Sequence, residues 1–188
     1  MFKWLIPWIL MAWGAFLPAQ EHLLTVAHPS ASEGILEVEG VSGTTSGPLR
    51  VSVELATAEA GPGVHAWSFG LSHDPNMLEL LGATLSGTAA EEASFSTAEI
   101  LPQGVVSSAV LDADHGRLLP PGVSSTLLYV DYGGKFPPKD TAVQTRLRLV
   151  DGLTGSKGVV QSQLTTWDGT AEASVTPVTR LISCHKRS

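Results

Sequence analysis

Residues 64–72 (VHAWSFGLS) alternate large and small side chains, and this pattern restricts the possible folds more than any other part of the sequence. One set of alternate positions holds the bulky residues His65, Trp67, Phe69 and Leu71, and the other holds Ala66, Ser68, Gly70 and Ser72. Successive side chains of a β-strand point to opposite faces, so the segment predicts a strand with one bulky and one flat face. A bulky face of this kind is typical of a strand that fills the core between two packed sheets.

Other segments repeat the two-residue period. Residues 49–55 alternate apolar and polar side chains, and residues 145–149 do so with Arg146 and Arg148 on the solvent side. About nine such short segments, separated by Gly, Pro, Asn and Asp, predict an all-β antiparallel β-sandwich, a jelly roll of about nine strands. We expect one helical turn at residues 77–81, and 188 residues favour a single domain.

The N-terminus has the three parts of a secretory signal peptide. A positive start at Lys3 precedes an apolar run over residues 4–17, which Pro18-Ala19-Gln20 follows. We expect a signal peptide over residues 1–19 with cleavage near Ala19, and therefore a secreted or periplasmic protein; an uncleaved anchor is the alternative. The run is short for a bilayer span, so no membrane span is expected after cleavage.

The predicted domain covers residues 33–180, and residues 181–188 are predicted to form a C-terminal tail. The only cysteine, Cys184, lies in that tail and cannot form an intramolecular disulfide. Burial and backbone pairing therefore have to stabilise the domain.

Charge and motifs exclude several classes of function. The net charge is −7, and no basic stretch is available to neutralise phosphates, so no nucleic-acid partner is expected. The sequence contains no nucleophile elbow, P-loop or dinucleotide fingerprint. We therefore predict that the protein is not an enzyme and has no cofactor, with a hydrolase as a remote alternative.

His65, His73 and Asp74 are the first candidates for chemistry. Eight residues separate the two histidines, about 26 Å along an extended strand, so they share a metal ion only if the chain folds back. Asp74 precedes Pro75 and is more simply a turn residue that accepts backbone N–H bonds. We interpret the group as part of the architecture.

The segment Asp112-Ala113-Asp114-His115-Gly116 resembles the start of a calcium loop. An EF-hand has an oxygen ligand at its fifth position and glycine at its sixth, but these positions hold Gly116 and Arg117. A looser calcium site that uses Asp112 and Asp114 is the alternative to a simple turn.

Trp167 and Tyr132 are the candidate ligand-binding residues. Carbohydrate binding needs exposed aromatic rings, and Trp167 lies in the polar segment Thr165-Thr166-Trp167-Asp168-Gly169. Tyr132 is a second ring that is expected to be exposed, whereas Trp67 is expected to be buried. These residues support a carbohydrate-binding module as an alternative function.

The segment from Trp67 to Pro75, with the turn His73-Asp74-Pro75 followed by Leu78, Gly82 and Gly87, resembles the corresponding part of cohesin-type domains. These domains belong to a larger carbohydrate-binding-like β-sandwich superfamily. Leu119-Pro120-Pro121-Gly122 and the strand that follows also resemble this family, so the resemblance extends over residues 33–132. It implies a nine-stranded jelly roll and a non-catalytic module that binds proteins on one sheet face. Possible partners are then a dockerin-like module or an envelope protein.

Overall fold

The computed structural model describes residues 21–27, 35–38, 40–41, 44–45, 49–134, 144–179 and 182–186. These residues form seventeen strands and no helix. The strands are β1 (Leu23–Ala27), β2 (Ile35–Val38), β3 (Gly40–Val41), β4 (Thr44–Thr45), β5 (Leu49–Ala56), β6 (Gly63–Ser72), β7 (Leu78–Thr84), β8 (Phe95–Leu101), β9 (Gly104–Val110), β10 (Ser124–Gly134), β11 (Gln144–Val150), β12 (Leu153–Gly155), β13 (Gly158–Val160), β14 (Gln163–Trp167), β15 (Glu172–Val175), β16 (Val178–Thr179) and β17 (Ile182–Lys186). None of the described residues belongs to a helix long and apolar enough to cross a membrane.

The strands form two main sheets. The first has the order β16-β1-β5-β10-β7. In the second, β6 is the central strand and pairs with β14 and β11 along one edge and with β9 along the other, and β8 pairs with β9. Almost all pairs are antiparallel, and the two parallel pairs among the described strands are β1 with β16 and β17 with β2. The predicted all-β sandwich is confirmed.

The core lies between the two sheets, as the alternation in β6 predicts. Trp67 is 3% exposed and Phe69 is fully buried. They belong to one apolar cluster with Val53 and Leu55 of the first sheet. Ser68, on the opposite face of β6, remains partly exposed. The large side chains of β6 therefore fill the interior, and the small ones form its outer surface.

The alternation ends at His65 because β6 contains a β-bulge there. Consecutive residues Thr165 and Thr166 of β14 pair with Ala66 and Val64, which leaves His65 without an opposite residue. The extra residue changes which side chains face the core, so Val64 joins the apolar cluster. A bulge of this kind redirects a side chain.

The predicted turn at Asp74 is confirmed, whereas the predicted helical turn at residues 77–81 is wrong. The Asp74 carboxylate accepts hydrogen bonds from the backbone N–H and side-chain amide of Asn76. The Asp74 carbonyl accepts the N–H groups of Met77 and Leu78. The turn is therefore complete at Met77, and strand β7 begins at Leu78, where pairing with β10 is available.

Two strands lie outside the predicted domain of residues 33–180. β1 precedes residue 33 and pairs with β5 along its whole length, with Leu24 and Val26 in the core. β17 lies in the predicted tail and pairs with residues 144–147 of β11. The other part of β11, residues 148–150, pairs with β6. The predicted signal peptide, residues 1–19, lies outside the described residues.

Candidate functional site

Part of the side of the second sheet that faces away from the core is a flat, uncharged area, which we call the outer face. Glu99 and Arg148 lie on the same side of the sheet but outside this area. Cross-strand pairing places its residues side by side, because paired residues of adjacent strands point to the same side. The outer face consists of Ala66, Ser68, Phe95, Thr97, Ser108, Val110, Gln163 and Thr165. Most of these side chains are small, and Phe95, which is 45% exposed, is the largest apolar one.

The hairpin formed by β12 and β13 covers one end of this sheet. A Cβ atom added to Gly70 would come within 3.0 Å of Leu153 Cδ1, so the hairpin packs directly on β6. Glu99 holds the far end of the hairpin, since its carboxylate accepts the Ser156 N–H at 2.8 Å and the Ser156 hydroxyl at 2.8 Å. These two hydrogen bonds lower the pKa of Glu99 below its ordinary value.

A shallow groove of about 300 Å³ separates the hairpin from the outer face. Ser68 and Ser108 line its floor, and Lys157 and Val159 line its hairpin side. Val159 is 65% exposed. The Ser68 hydroxyl donates to the Gln161 carbonyl at 2.7 Å, which fixes the hairpin's second strand to β6. The outer face and the groove therefore form one continuous surface of hydroxyl, amide and apolar groups, with Lys157 at its hairpin side.

A second candidate site lies at the end of β6 where the bulge occurs. His65, His115 and Glu172 come together there, with one potential ligand atom from each residue within 4.8 Å of the others. The Nε2 atom of His115 donates to Glu172 Oε1 at 2.8 Å, and the Nε2 atom of His65 lies 3.3 Å from the same oxygen. We call these three residues the His–Glu cluster.

His65 is the buried member of the His–Glu cluster. It is 5% exposed, and neither of its ring nitrogens has a hydrogen-bond partner among the described residues, because the approach of Glu172 lacks hydrogen-bond geometry. A buried polar group without a partner costs about 1–3 kcal/mol of stability. Such a group in a folded protein needs an explanation.

Two local features fix the ring of His115. Its backbone has φ of 60°, and it is the one non-glycine residue with positive φ among those described. The turn is closed by Asp112, whose carbonyl accepts the His115 N–H and whose carboxylate accepts the Asp114 N–H. On the other side, the ring stacks on Trp167 with centroids 4.1 Å apart. The imidazole is therefore held from both the backbone and the ring face.

Glu172 is the exposed member of the cluster, with a side chain that is about half exposed. The hydrogen bond from His115 lowers the pKa of this carboxyl group. Loss of solvent opposes that effect, and the charges of His65 and His115 add to it. The Glu172 carboxyl group is therefore ionised at neutral pH.

The aromatic residues predicted from the sequence have different environments. The prediction that Tyr132 is exposed is wrong: its side chain is fully buried and lies edge-on to His73, with centroids 5.3 Å apart. It follows Val130 at the spacing of two that places both in the core. Trp167 is partly exposed, but His115 occupies one face of its ring.

Asp112 and Asp114 lie in the loop before His115, and the described residues include no three-residue metal cluster that contains them. Asp112 is partly exposed and Asp114 is exposed. The hydrogen bond from the Asp114 N–H engages one carboxylate oxygen of Asp112. The calcium site remains a prediction.

The sequence did not reveal the His–Glu cluster, because its members are far apart along the chain. Fifty residues separate His65 from His115, and fifty-seven separate His115 from Glu172. Only the bulge in β6, the left-handed turn at His115 and the pairing of Trp167 with Glu172 bring them together. The one local signal of this site in the sequence was His115, which follows the turn residue Asp112.

The comparisons with known proteins found similarity in structure but no match in sequence. No protein-family model matches the sequence, and no curated protein matches it. The seventh ScaB type I cohesin of Pseudobacteroides cellulosolvens is similar in structure, with a TM-score of 0.61 and 13% identity over 89% of this chain and 93% of that one. A non-cellulosomal cohesin from Archaeoglobus fulgidus gives a TM-score of 0.58 at 14% identity, covering 89% and 92% of the two chains.

A third similar structure contains a bound partner. It is a type I cohesin–dockerin complex from Clostridium thermocellum, with a TM-score of 0.60 and 12% identity over 91% of this chain and 97% of that one. All three similarities extend over nearly the whole of both chains, and they agree with the two-sheet architecture described above. This chain therefore has the fold of a cohesin-type domain.

Proposed function

We propose that the protein is a non-catalytic binding module whose outer face holds a partner of the dockerin type. The observation that carries this proposal is the flat, uncharged outer face on a cohesin fold. Two of the structurally similar cohesins were determined in complexes with dockerins from Clostridium thermocellum. The class of partner is inferred from those complexes, whereas the contact residues are those of this chain's own outer face.

The chemistry of the outer face suits a protein partner. Ala66, Ser68 and Ser108 are small, so a partner's backbone or a helix surface can approach the sheet closely. Phe95 and Val110 pair with each other at one margin and provide apolar area. Interfaces gain affinity from such aromatic residues and from the absence of charges that must be desolvated.

The hairpin limits where a partner can bind. It covers β6 at Gly70, so the accessible part of the outer face extends from Ser68 and Ser108 to Phe95 and Thr165. Val159, at the hairpin, adds an exposed apolar group at the border of this area. We propose that the partner contacts both the sheet and the hairpin.

Residues 1–19 are proposed to direct the protein out of the cytoplasm, to the secreted or periplasmic fraction. A binding module that acts outside the cell can meet dockerin-bearing proteins there. N-terminal sequencing of the exported protein tests this part: a start near Gln20 supports it, and a start at Met1 contradicts it.

The partly exposed Trp167 supports carbohydrate binding as the second candidate. Both candidates are tested by one experiment, in which purified chain is presented to a panel of purified dockerin modules and to a glycan array. We expect saturable binding to at least one dockerin and none to glycans. Binding to glycans alone, weakened by Trp167→Ala, would establish the second candidate instead.

A further inference from the structure

We propose that the His–Glu cluster is a binding site for a divalent transition-metal ion, with zinc as the expected ion. The ligands are His65, His115 and Glu172. The site lies at the bulged end of β6 and needs no partner protein. It is thus independent of dockerin binding, and either proposal can fail while the other holds.

The spacing of the ligand atoms agrees with a zinc ion. Zinc binds nitrogen and carboxylate oxygen at about 2.0–2.2 Å, so ligand atoms around a tetrahedral ion lie about 3.3–3.5 Å apart. His65 Nε2 is 3.3 Å from Glu172 Oε1, and His115 Nε2 is 2.8 Å from the same atom. The ligand atoms of His65 and His115 lie within 4.8 Å of each other. Metal binding requires His115 to move slightly away from Glu172, as their hydrogen bond is replaced by two metal bonds, and the two imidazoles to adjust around the ion.

The unpartnered state of His65 is the second observation in favour of a metal ion. Its ring is buried and aimed at the cluster, and neither nitrogen has a hydrogen-bond partner among the described side chains and backbone. A metal ion gives one of these nitrogens a strong bond. The β-bulge that directs the ring toward Glu172 is then a feature of the site, as bulges next to functional sites often are.

The ligand set selects the kind of metal. Two imidazoles and one carboxylate suit zinc and its neighbours in the transition series, whereas calcium and magnesium prefer oxygen ligands alone. Two neutral histidines and one carboxylate leave a net charge of +1 on the occupied site. Three protein ligands leave the fourth position of a tetrahedral ion to water, on the side where Glu172 is exposed.

The surroundings hold the ligands before any ion binds. Trp167 stacks on His115, and the left-handed backbone at residue 115 sets the direction of its side chain. Trp167 also pairs with Glu172 across β14 and β15. An ion at the cluster connects the end of β6, the loop that contains His115, and the edge strand β15, so binding should stabilise the folded chain.

The test is calorimetric titration of the untagged full-length chain with zinc chloride, together with thermal unfolding with and without zinc. We expect one high-affinity ion per chain and a higher Tm with zinc. His115→Asn and Glu172→Gln should each weaken zinc binding at least about 100-fold, because each removes a ligand. Asparagine tolerates the left-handed backbone at position 115, and Glu172 is exposed, so both variants are compatible with the fold.

Glu92→Gln is the matched control, since Glu92 is an exposed carboxylate outside the cluster. It should bind zinc like the wild-type chain. Two results would overturn the proposal: no zinc binding by the wild-type chain, or wild-type affinity in the folded Glu172→Gln variant. The second result would show that Glu172 is not a ligand of the ion.

Discussion

Gly104 of β9 lies so close to Leu71 of β6 that a side chain at position 104 would overlap the Leu71 carbonyl oxygen. The two strands pair here, with Gly104 opposite Ser72. Gly104→Ala should therefore push β9 away from β6 and destabilise the domain by about 1–3 kcal/mol, the usual cost of overpacking. Denaturant unfolding measures this change.

Gly82→Ala is the control for this substitution. Gly82 also lies in a strand, β7, but no described atom is within 4 Å of the Cβ position. Its replacement should leave stability unchanged or raise it slightly, since alanine has less conformational freedom to lose. Equal changes in stability for the two variants would show that β6 and β9 are not in close contact at Gly104.

A substitution on the buried face of β6 should reduce stability more than the glycine substitutions do. Phe69→Ala leaves a cavity between the two sheets and should cost about 3–5 kcal/mol. Ser108→Ala, on the outer face, should change stability by less than about 0.5 kcal/mol. Thermal unfolding of the two variants distinguishes the faces, and a small loss for Phe69→Ala would mean that the side chain is not in the core.

The Glu99–Ser156 contact predicts pH-dependent anchoring of the hairpin. The pKa of Glu99 is lowered from 4.5 by the Ser156 N–H and then the Ser156 hydroxyl. Because the pKa of Glu99 is lower in the folded chain than in the unfolded chain, the ionised carboxylate stabilises the anchored hairpin at pH values above the unfolded pKa. This stabilisation is lost as the pH falls through the lower pKa of the folded chain. At pH 7, Glu99→Gln should accelerate amide hydrogen exchange in residues 153–160.

The comparison at low pH provides the control for this prediction. Once the pH has fallen below the lowered pKa of Glu99, the wild-type chain should exchange in this segment as fast as the variant does at the same pH. A difference that persists after Glu99 is protonated would show that the hairpin is held by something other than the ionised carboxylate.

Local periodicity made the sandwich predictable. Trp67 and Phe69 alternate with small residues, and that information is contained in nine consecutive positions. The same rule, applied to Leu128, Val130 and Tyr132, would have placed Tyr132 in the core.

The parts that could not be predicted depend on pairing between distant segments. The bulge at His65 exists because β14, about a hundred residues later, is out of register at that point. The strand β17 forms on residues of β11 that β6 leaves unpaired. Neither event has a signature in the local sequence, so the His–Glu cluster and the structured C-terminal segment emerged only with the fold.

The outer face is proposed to be the surface that binds the partner. Affinity measurements on Ser108→Arg and Ser124→Arg, with a dockerin module that binds the wild-type chain, test this proposal. Ser108 lies in the outer face, whereas Ser124 is exposed on the first sheet, so the two variants carry the same change on different surfaces. We predict that Ser108→Arg weakens binding at least about 100-fold, because a large charge then stands in the interface, while Ser124→Arg binds normally. Unchanged affinity of the folded Ser108→Arg variant would show that the partner does not bind at the outer face.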